Sequence, residues 1–218
     1  MPSVSKEEFV KVIGKYFPPE TIDFAWFYFE KHDFSLKVTN ARRTKKGDFK
    51  YYRDKNRRTI ITVNGDLCSY DFLIVYIHEL AHYMVFKHAD IFKARAHGKE
   101  WQFFFKKLLE NVIEHTALPQ DIKKAFQHHS VHIKSSTVLD QQLEIALDKY
   151  RTKREGVVYL KDLSVGDNFL YRGNLFKIDS FARTRVRCTL AGTKRKYLIS
   201  AMMNVFPQTA SPHTTEST

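Results

Sequence analysis

The chain has 218 residues, 43% hydrophobic and 14% aromatic with a formal charge of +12, enough to bury one sizeable core and a small second domain. Its longest apolar stretch is interrupted by His78, Glu79 and His82, which excludes an uninterrupted bilayer span, so no membrane partner is expected. Two cysteines 120 positions apart exclude a disulfide framework, and a start carrying Glu7 and Glu8 without an apolar core indicates neither a secretory signal nor a transit peptide, so cytoplasmic residence is expected.

Residues 5–17 and 20–31 read as amphipathic helices divided by Pro18 and Pro19. Three short β-branched and aromatic runs follow, residues 35–41, 49–53 and 59–64, with KKGD and DKNRR as turns; they predict a small antiparallel sheet. The last of them, residues 59–63, is the expected place for an extended substrate to add as a strand. Asn64, Gly65 and Asp66 end the sheet, and Ser69 is expected to cap the next helix.

That helix carries FLIVYIHELAHYMVF, residues 72–86. Residues four apart lie about one turn round a helix, so His78 and His82 share a face and can share one zinc ion. Glu79 stands beside such a metal, where a carboxylate can take a proton from a metal-activated water. Apolar side chains on every side of the segment mark it as buried, and two imidazoles and a carboxylate are costly to bury without partners.

A catalytic zinc takes a third protein ligand and leaves a fourth position for water. His88 has the metzincin offset, six residues after His82, but Val85 stands where that pattern needs glycine. His97, fifteen positions after His82, follows a polar stretch long enough to reverse direction and precedes Gly98, which permits a tight turn into a helix over residues 99–114. Glu110 or Glu114 on that helix is the remaining alternative. His97 is the best of the three.

HELAHYMVFKH at residues 78–88, followed by HGKEWQ at 97–102, resembles the SprT-like, Spartan-related zinc metallopeptidases over about residues 6–115. The resemblance implies a zincin-like α+β domain, a single zinc ion on His78, His82 and His97, Glu79 as general base, and hydrolysis of peptide bonds. For eukaryotic members it further implies cleavage of proteins bound or crosslinked to DNA, with single-stranded DNA as a partner and a place in DNA repair. The chain departs from the family in one respect: Cys68 and Cys188 cannot build the C-terminal zinc ribbon that many members carry.

Residues 119–129 and 137–150 read as further helices, and His128, His129 and His132 as an exposed loop rather than a second metal cluster. From Gly156 the texture changes to short strands, VVYL, NFLYR, LFKIDSF, RVRCTL and KYLIS, with turns at VGD, RGN and AGTK, a small β-barrel or β-roll. The tail PQTASPHTTEST reads as disordered. The expected organisation is a metallopeptidase domain over 1–135, a helical connector over 136–155, a basic β-rich domain over 156–206 and the tail over 207–218.

Charge is concentrated in two blocks of +8, residues 37–58 with ten basic and two acidic residues and residues 151–206 with twelve and four. Such blocks on a body of −4 have the form of a phosphate-binding footprint. The candidate nucleic-acid contacts are Lys50 and Arg53, interleaved with Phe49, Tyr51 and Tyr52, and Arg183, Arg185, Arg187, Lys194, Arg195 and Lys196 in the last strands and their turn, where alternation places the three arginines on one face. The rival to a zinc endopeptidase is a nucleic-acid-binding module with a structural zinc. A retained general base argues against it, since a structural site has no use for Glu79.

Overall fold

Ser5 opens the first helix with a reciprocal cap: its hydroxyl accepts from the Glu8 amide, and the Glu8 carboxylate accepts from the Ser5 amide. The structure, a computed structural model, describes residues 4–52, 58–89, 94–133, 140–152 and 156–208. Two compact units divide the chain, Met1–Ser135 with Ile145–Arg151, and Ser136–Glu144 with Thr152–Thr218. The tail beyond 208, read above as disordered, lies outside the described residues. No helix among them is long and apolar enough to cross a membrane.

In the first unit, α1 (Lys6–Ile13) and α2 (Ile22–Lys31) lead into a three-stranded sheet of β1 (Phe34–Thr39), β2 (Gly47–Lys50) and β3 (Thr59–Asn64). The helices are shorter than the periodicity predicts, because Gly14–Tyr16 and Pro19–Thr21 tighten into 3-10 turns around Pro18. The sheet order is β1-β3-β2, with β2 antiparallel to β3 but β1 parallel to it, Phe34 opposite Thr59. The expected all-antiparallel sheet is therefore mixed. The connection after β1 wraps the end of β3, where Arg42 Nε donates to Asn64 Oδ1 at 2.8 Å and Asn64 Nδ2 donates to the Lys45 carbonyl at 3.1 Å; this leaves β3 in the middle.

The α3 helix (Ser69–His88) crosses this sheet with fourteen of its twenty residues buried, as an all-round apolar sequence requires. Its cap is Cys68 rather than Ser69, because Ser69 is already helical: the thiol accepts from the Asp71 amide at 3.5 Å and donates to Asp71 Oδ2 at 3.1 Å. Burial, with the Asp71 charge adding to it, pushes that thiol up to about 11, so it stays a donor. Next come α4 (Lys99–His115), α5 (Gln120–Val131) and α6 (Gln141–Asp148). On α5, His129 is buried edge-on to Phe105, a packing position in place of the exposed loop expected.

The second unit is a six-stranded antiparallel sheet in the order β4-β9-β5-β6-β7-β8, made of Val158–Tyr159, Asn168–Tyr171, Asn174–Phe181, Arg185–Leu190, Lys196–Ser200 and Asn204–Gln208 for β4 to β9. It is open, with β4 and β8 as its edges, so the roll rather than the closed barrel is the form adopted. Phe169, Phe176, Ile178, Val186, Cys188, Ile199 and Val205 fill its core. Between β5 and β6, Arg172 and Gly173 both take positive φ, 51° and 78°, the geometry of a two-residue hairpin turn. The ninth strand was not expected, because Pro207 removes an amide and Asn204–Gln208 lacks a clean alternation.

Candidate metal centre

One helical turn separates His78 from His82 on α3, and their Nε2 atoms lie 3.3 Å apart. His97, just before α4, brings its Nε2 to 3.2 Å from that of His82 and 3.0 Å from that of His78. Three donors about 2.05 Å from one ion at tetrahedral angles stand roughly 3.3 Å apart, so this triangle has the dimensions of three corners of a zinc site. Three ring nitrogens facing one another cannot all find a proton to share, and a cation is the natural partner for their lone pairs. The rings are also held neutral, which is the ligating form. Burial, with its histidine neighbours adding, draws His78 down to about 3, burial draws His82 to about 4, and burial lowers His97 as well.

His97 reaches the cluster by adopting φ 58°, a left-handed conformation uncommon outside glycine. Gly98, expected to supply the turn, has φ −70° and caps α4 instead. It must still be glycine, since a Cβ there would meet the Arg95 carbonyl oxygen at 2.9 Å. Among the described residues these three histidines are the one group of three or more metal-ligating side chains within reach of a common ion. His88 ends α3 against Phe104, and Glu110 is occupied on the surface of α4 by Lys106 at 3.7 Å.

Glu79 points into a buried corner under β2 and is 7% exposed. Burial pushes its carboxyl up to about 8, with Asp48 adding to the rise, while the Phe49 N–H, Arg42 and Lys45 oppose it. The fit of β2 over this group is tight: a Cβ at Gly47 would lie 2.6 Å from Glu79 Oε1 and 2.6 Å from Val75 Cγ1. The expected strand-addition site at residues 59–63 is corrected by the sheet order, because β3 is paired on both sides; among the described residues β1 and β2 are the outer strands, and β2 is the one beside Glu79. Asn64 donates to the Lys46 carbonyl, so alternation turns the backbone of Gly47 and Phe49 away from β3, where the Phe49 N–H meets the Glu79 carboxylate.

Two residues of the site carried no signal specific enough to find them. Trp101 is 1% exposed, its indole N–H donates to the His78 carbonyl at 3.3 Å, and its ring lies 4.7 Å from those of His78 and His97 and 5.6 Å from that of His82. It is the wall against which all three imidazoles are seated; the four-residue offset from His97 was its only trace in the sequence. Gly47 is the other. Tyr83, near the histidines in sequence, turns into the core, where its hydroxyl accepts from the Asp33 amide at 3.1 Å.

The basic residues fall into two groups. In the first block Arg42 is held by Asn64 and Thr62, Lys45 pairs with Asp48 at 2.9 Å, Lys46 with Asp71 at 3.4 Å and Arg58 with Asp33. Phe49 and Tyr51 pack on Phe86 at 5.9 and 5.3 Å, while Lys50 extends over Tyr52. Arg53 lies outside the described residues. In the second unit, Arg185 and Arg187 are exposed on one face of β7 with Lys196 on the neighbouring strand, whereas Arg183 sits in the preceding loop and Lys194 and Arg195 in the turn before β8.

The sequence model of the SprT-like family matches residues 20–128, half the chain and all of the site just described. No curated protein and no solved structure shows significant similarity to the chain.

Proposed function

Because the chain belongs to the SprT-like family, which is generally associated with metallopeptidase activity, we propose that it is a zinc-dependent endopeptidase acting on DNA-bound or DNA-crosslinked proteins. The observation that carries this reading is the triangle of His78, His82 and His97 nitrogens, 3.0–3.3 Å on a side, with Glu79 next to His78 on the same helix. A zinc ion on those nitrogens would polarise a scissile carbonyl, lower the pKa of water to about 7 and favour the carboxylate form of Glu79.

Glu79 then acts as general base, accepting the proton of the attacking water and passing it to the departing amide nitrogen. The Phe49 N–H steadies its carboxylate. The outer side of β2, unpaired by any strand among the described residues, would let an extended peptide pair with backbone groups other than the Phe49 N–H, which suits an enzyme that cuts chains of varied sequence. Trp101 fixes the imidazoles by packing. The exposed cations of the second unit supply the affinity for DNA that would bring substrate to the site.

A structural zinc without hydrolysis is disfavoured by the donor set: a structural site closes its fourth position, and among the described residues no fourth metal-ligating side chain joins the three histidines. The test is metal analysis with digestion of casein and of a DNA-binding protein, with and without single-stranded DNA. Glu79→Gln is expected to keep one zinc per chain and lose cleavage by at least about a hundredfold, and His97→Ala to lose the metal. Full cleavage by Glu79→Gln would rule out the mechanism.

A further inference from the structure

Strand β8 (Lys196–Ser200) is an outer strand of the second unit's sheet: β7 pairs with one side of it and no described strand with the other. The Leu190 amide donates to the Arg195 carbonyl and the Ala201 amide to the Thr184 carbonyl. In this antiparallel ladder Tyr197 and Ile199 therefore turn their backbone groups toward β7, and Lys196, Leu198 and Ser200 turn theirs outward. Of those outward groups only the Ser200 carbonyl has a backbone partner among the described residues, the Met203 amide at 3.0 Å. Exposed edges are ordinarily blunted by proline, bulges or several charges, whereas β8 has one lysine, no proline and an unbroken register with β7. Tyr197 and Leu198, on opposite faces, are 40% and 55% exposed. Beside them lies a cavity of about 460 Å³ that the peptidase chemistry does not use. Four consecutive residues, Tyr197, Leu198, Ile199 and Ser200, contribute to its lining together with Met202 and Met203. Alternate side chains of a strand point to opposite faces, so a cavity that touches all four borders the edge itself.

We infer that the β8 edge takes a strand from a partner protein, an extended segment of three apolar residues between two acidic ones, paired antiparallel like every neighbouring pair in this sheet. The site belongs to the second unit and does not depend on the peptidase reading.

The two faces of the edge select this occupant. Residues of the added strand opposite Tyr197 and Ile199 project to the core face, toward the cavity and its methionines, and are apolar. The residue opposite Leu198 meets an exposed leucine on the outer face and is apolar too. On that same outer face the residue opposite Lys196 meets its ammonium directly, and the residue opposite Ser200 reaches past a small side chain to Arg185, the neighbour of Ser200 on β7. Neither cation is ion-paired among the described residues, so both positions call for carboxylates. A second copy of this chain is a poorer fit: two β8 strands paired about Leu198 would set Lys196 of one across Ser200 of the other, facing Arg185 with like charge. A nucleic acid has no amides and carbonyls in the spacing of a strand to meet the outward groups.

The test uses the full-length chain and fluorescence anisotropy with a labelled, glycine-flanked peptide that carries glutamate, three valines and glutamate in that order. The wild type should bind it, and should bind a peptide with lysine in place of both glutamates about tenfold more weakly. In the pairing inferred, the amides of the two glutamates and the central valine point at β8, and those of the other two valines point away. N-methylation of the first three should weaken binding by about tenfold, whereas N-methylation of the other two should leave affinity within about twofold. Leu198→Pro removes one outward amide, leaves the β7 ladder whole and should weaken binding of the unmethylated peptide with the circular dichroism unchanged. Should that variant not fold, the methylated peptides decide the matter on the wild-type chain. Equal losses from the two methylation patterns, equal binding of the glutamate and lysine peptides, or no binding at all would overturn the strand addition. A dimer in sedimentation that Leu198→Pro converts to monomer would give the edge to a second copy and overturn the acidic partner.

Discussion

A carboxyl that burial and Asp48 push up to about 8 keeps its proton at neutral pH, which a general base cannot do. In the proposed mechanism Glu79 therefore serves as base only when positive charge stands next to it, and a cation held by His78 and His82, one residue and three residues along the helix, would supply that charge. Position matters as much as charge. Gly47 lets β2 lie directly on Glu79, with no room for even a methyl group before it meets Oε1 and Val75 Cγ1, each at 2.6 Å. Its φ is not in the left-handed region, so the requirement is one of space and not of backbone conformation. In Gly47→Ala the flexible end of Glu79 is expected to yield first, since Val75 is fixed by its helix. A displacement of about 1 Å in a reacting group costs on the order of a hundredfold in rate. We therefore expect Gly47→Ala to bind zinc with unchanged stoichiometry and to show kcat reduced by roughly that factor with little change in KM. An unaltered kcat, measured on a variant of normal metal content, would show that β2 does not position the base.

The α3 helix, which carries His78 and His82, is secured at its beginning as well as along its faces. Asp71, in its first turn, is 3% exposed and accepts two hydrogen bonds from Arg151, Nε to Oδ2 at 2.6 Å and Nη2 to Oδ1 at 2.7 Å, with Lys46 at 3.4 Å. Burial would raise this carboxyl, but the Arg151 hydrogen bonds and the Lys46 and Arg151 charges outweigh it and hold it below the usual range. Tyr150 donates to Asp121 at 2.9 Å and packs on Tyr70 at 4.6 Å, so residues 145–151 return to brace α3 from eighty positions away. Removing one partner of a buried ion pair strands the other charge, and Arg151→Ala is expected to destabilise the first unit by about 3 kcal/mol in urea unfolding, with Asp71→Asn largely restoring it in the double variant. Additive losses in the two variants would show no coupling. Nothing in residues 137–150 as a string announced this brace. What was legible were contacts set by local spacing: α3 from its unbroken apolar run, His78 and His82 from one helical turn, His97 from the reversal ahead of α4. The parallel pairing of β1, the strand at Asn204–Gln208 and the seating of Glu79 under Gly47 depend on which distant segments meet, and no periodicity records that. Residues 59–63 were misplaced at the sheet edge for the same reason.

Both tryptophans, Trp26 and Trp101, belong to the first unit, so their fluorescence follows the unit that holds His78, His82 and His97 without interference from the basic sheet. Without metal, the pH dependence of that unit's stability is governed by two opposed sets of groups. Unfolded histidine takes its proton near 6.5, whereas folded His78 and His82 resist until about 3 and 4. Below 6.5 the unfolded state therefore binds more protons, and stability falls as pH falls. Glu79 acts in the other direction: its folded value of about 8 lies above the unfolded 4.5, so between those values the folded state holds a proton that the unfolded state has released, and stability falls as pH rises. From 4.5 to 6.5 two histidines outweigh one carboxyl, and from 6.5 to 8 the carboxyl acts unopposed. Chelator-treated protein is thus expected to be most stable near pH 6.5, with slopes on the order of 1.4 kcal/mol per pH unit for each net proton. Glu79→Gln should remove the alkaline decline and leave the acid one. Urea midpoints followed by tryptophan fluorescence from pH 4.5 to 8 measure both limbs, and a Glu79→Gln profile parallel to that of the wild type would mean that Glu79 is not the group held protonated in the fold.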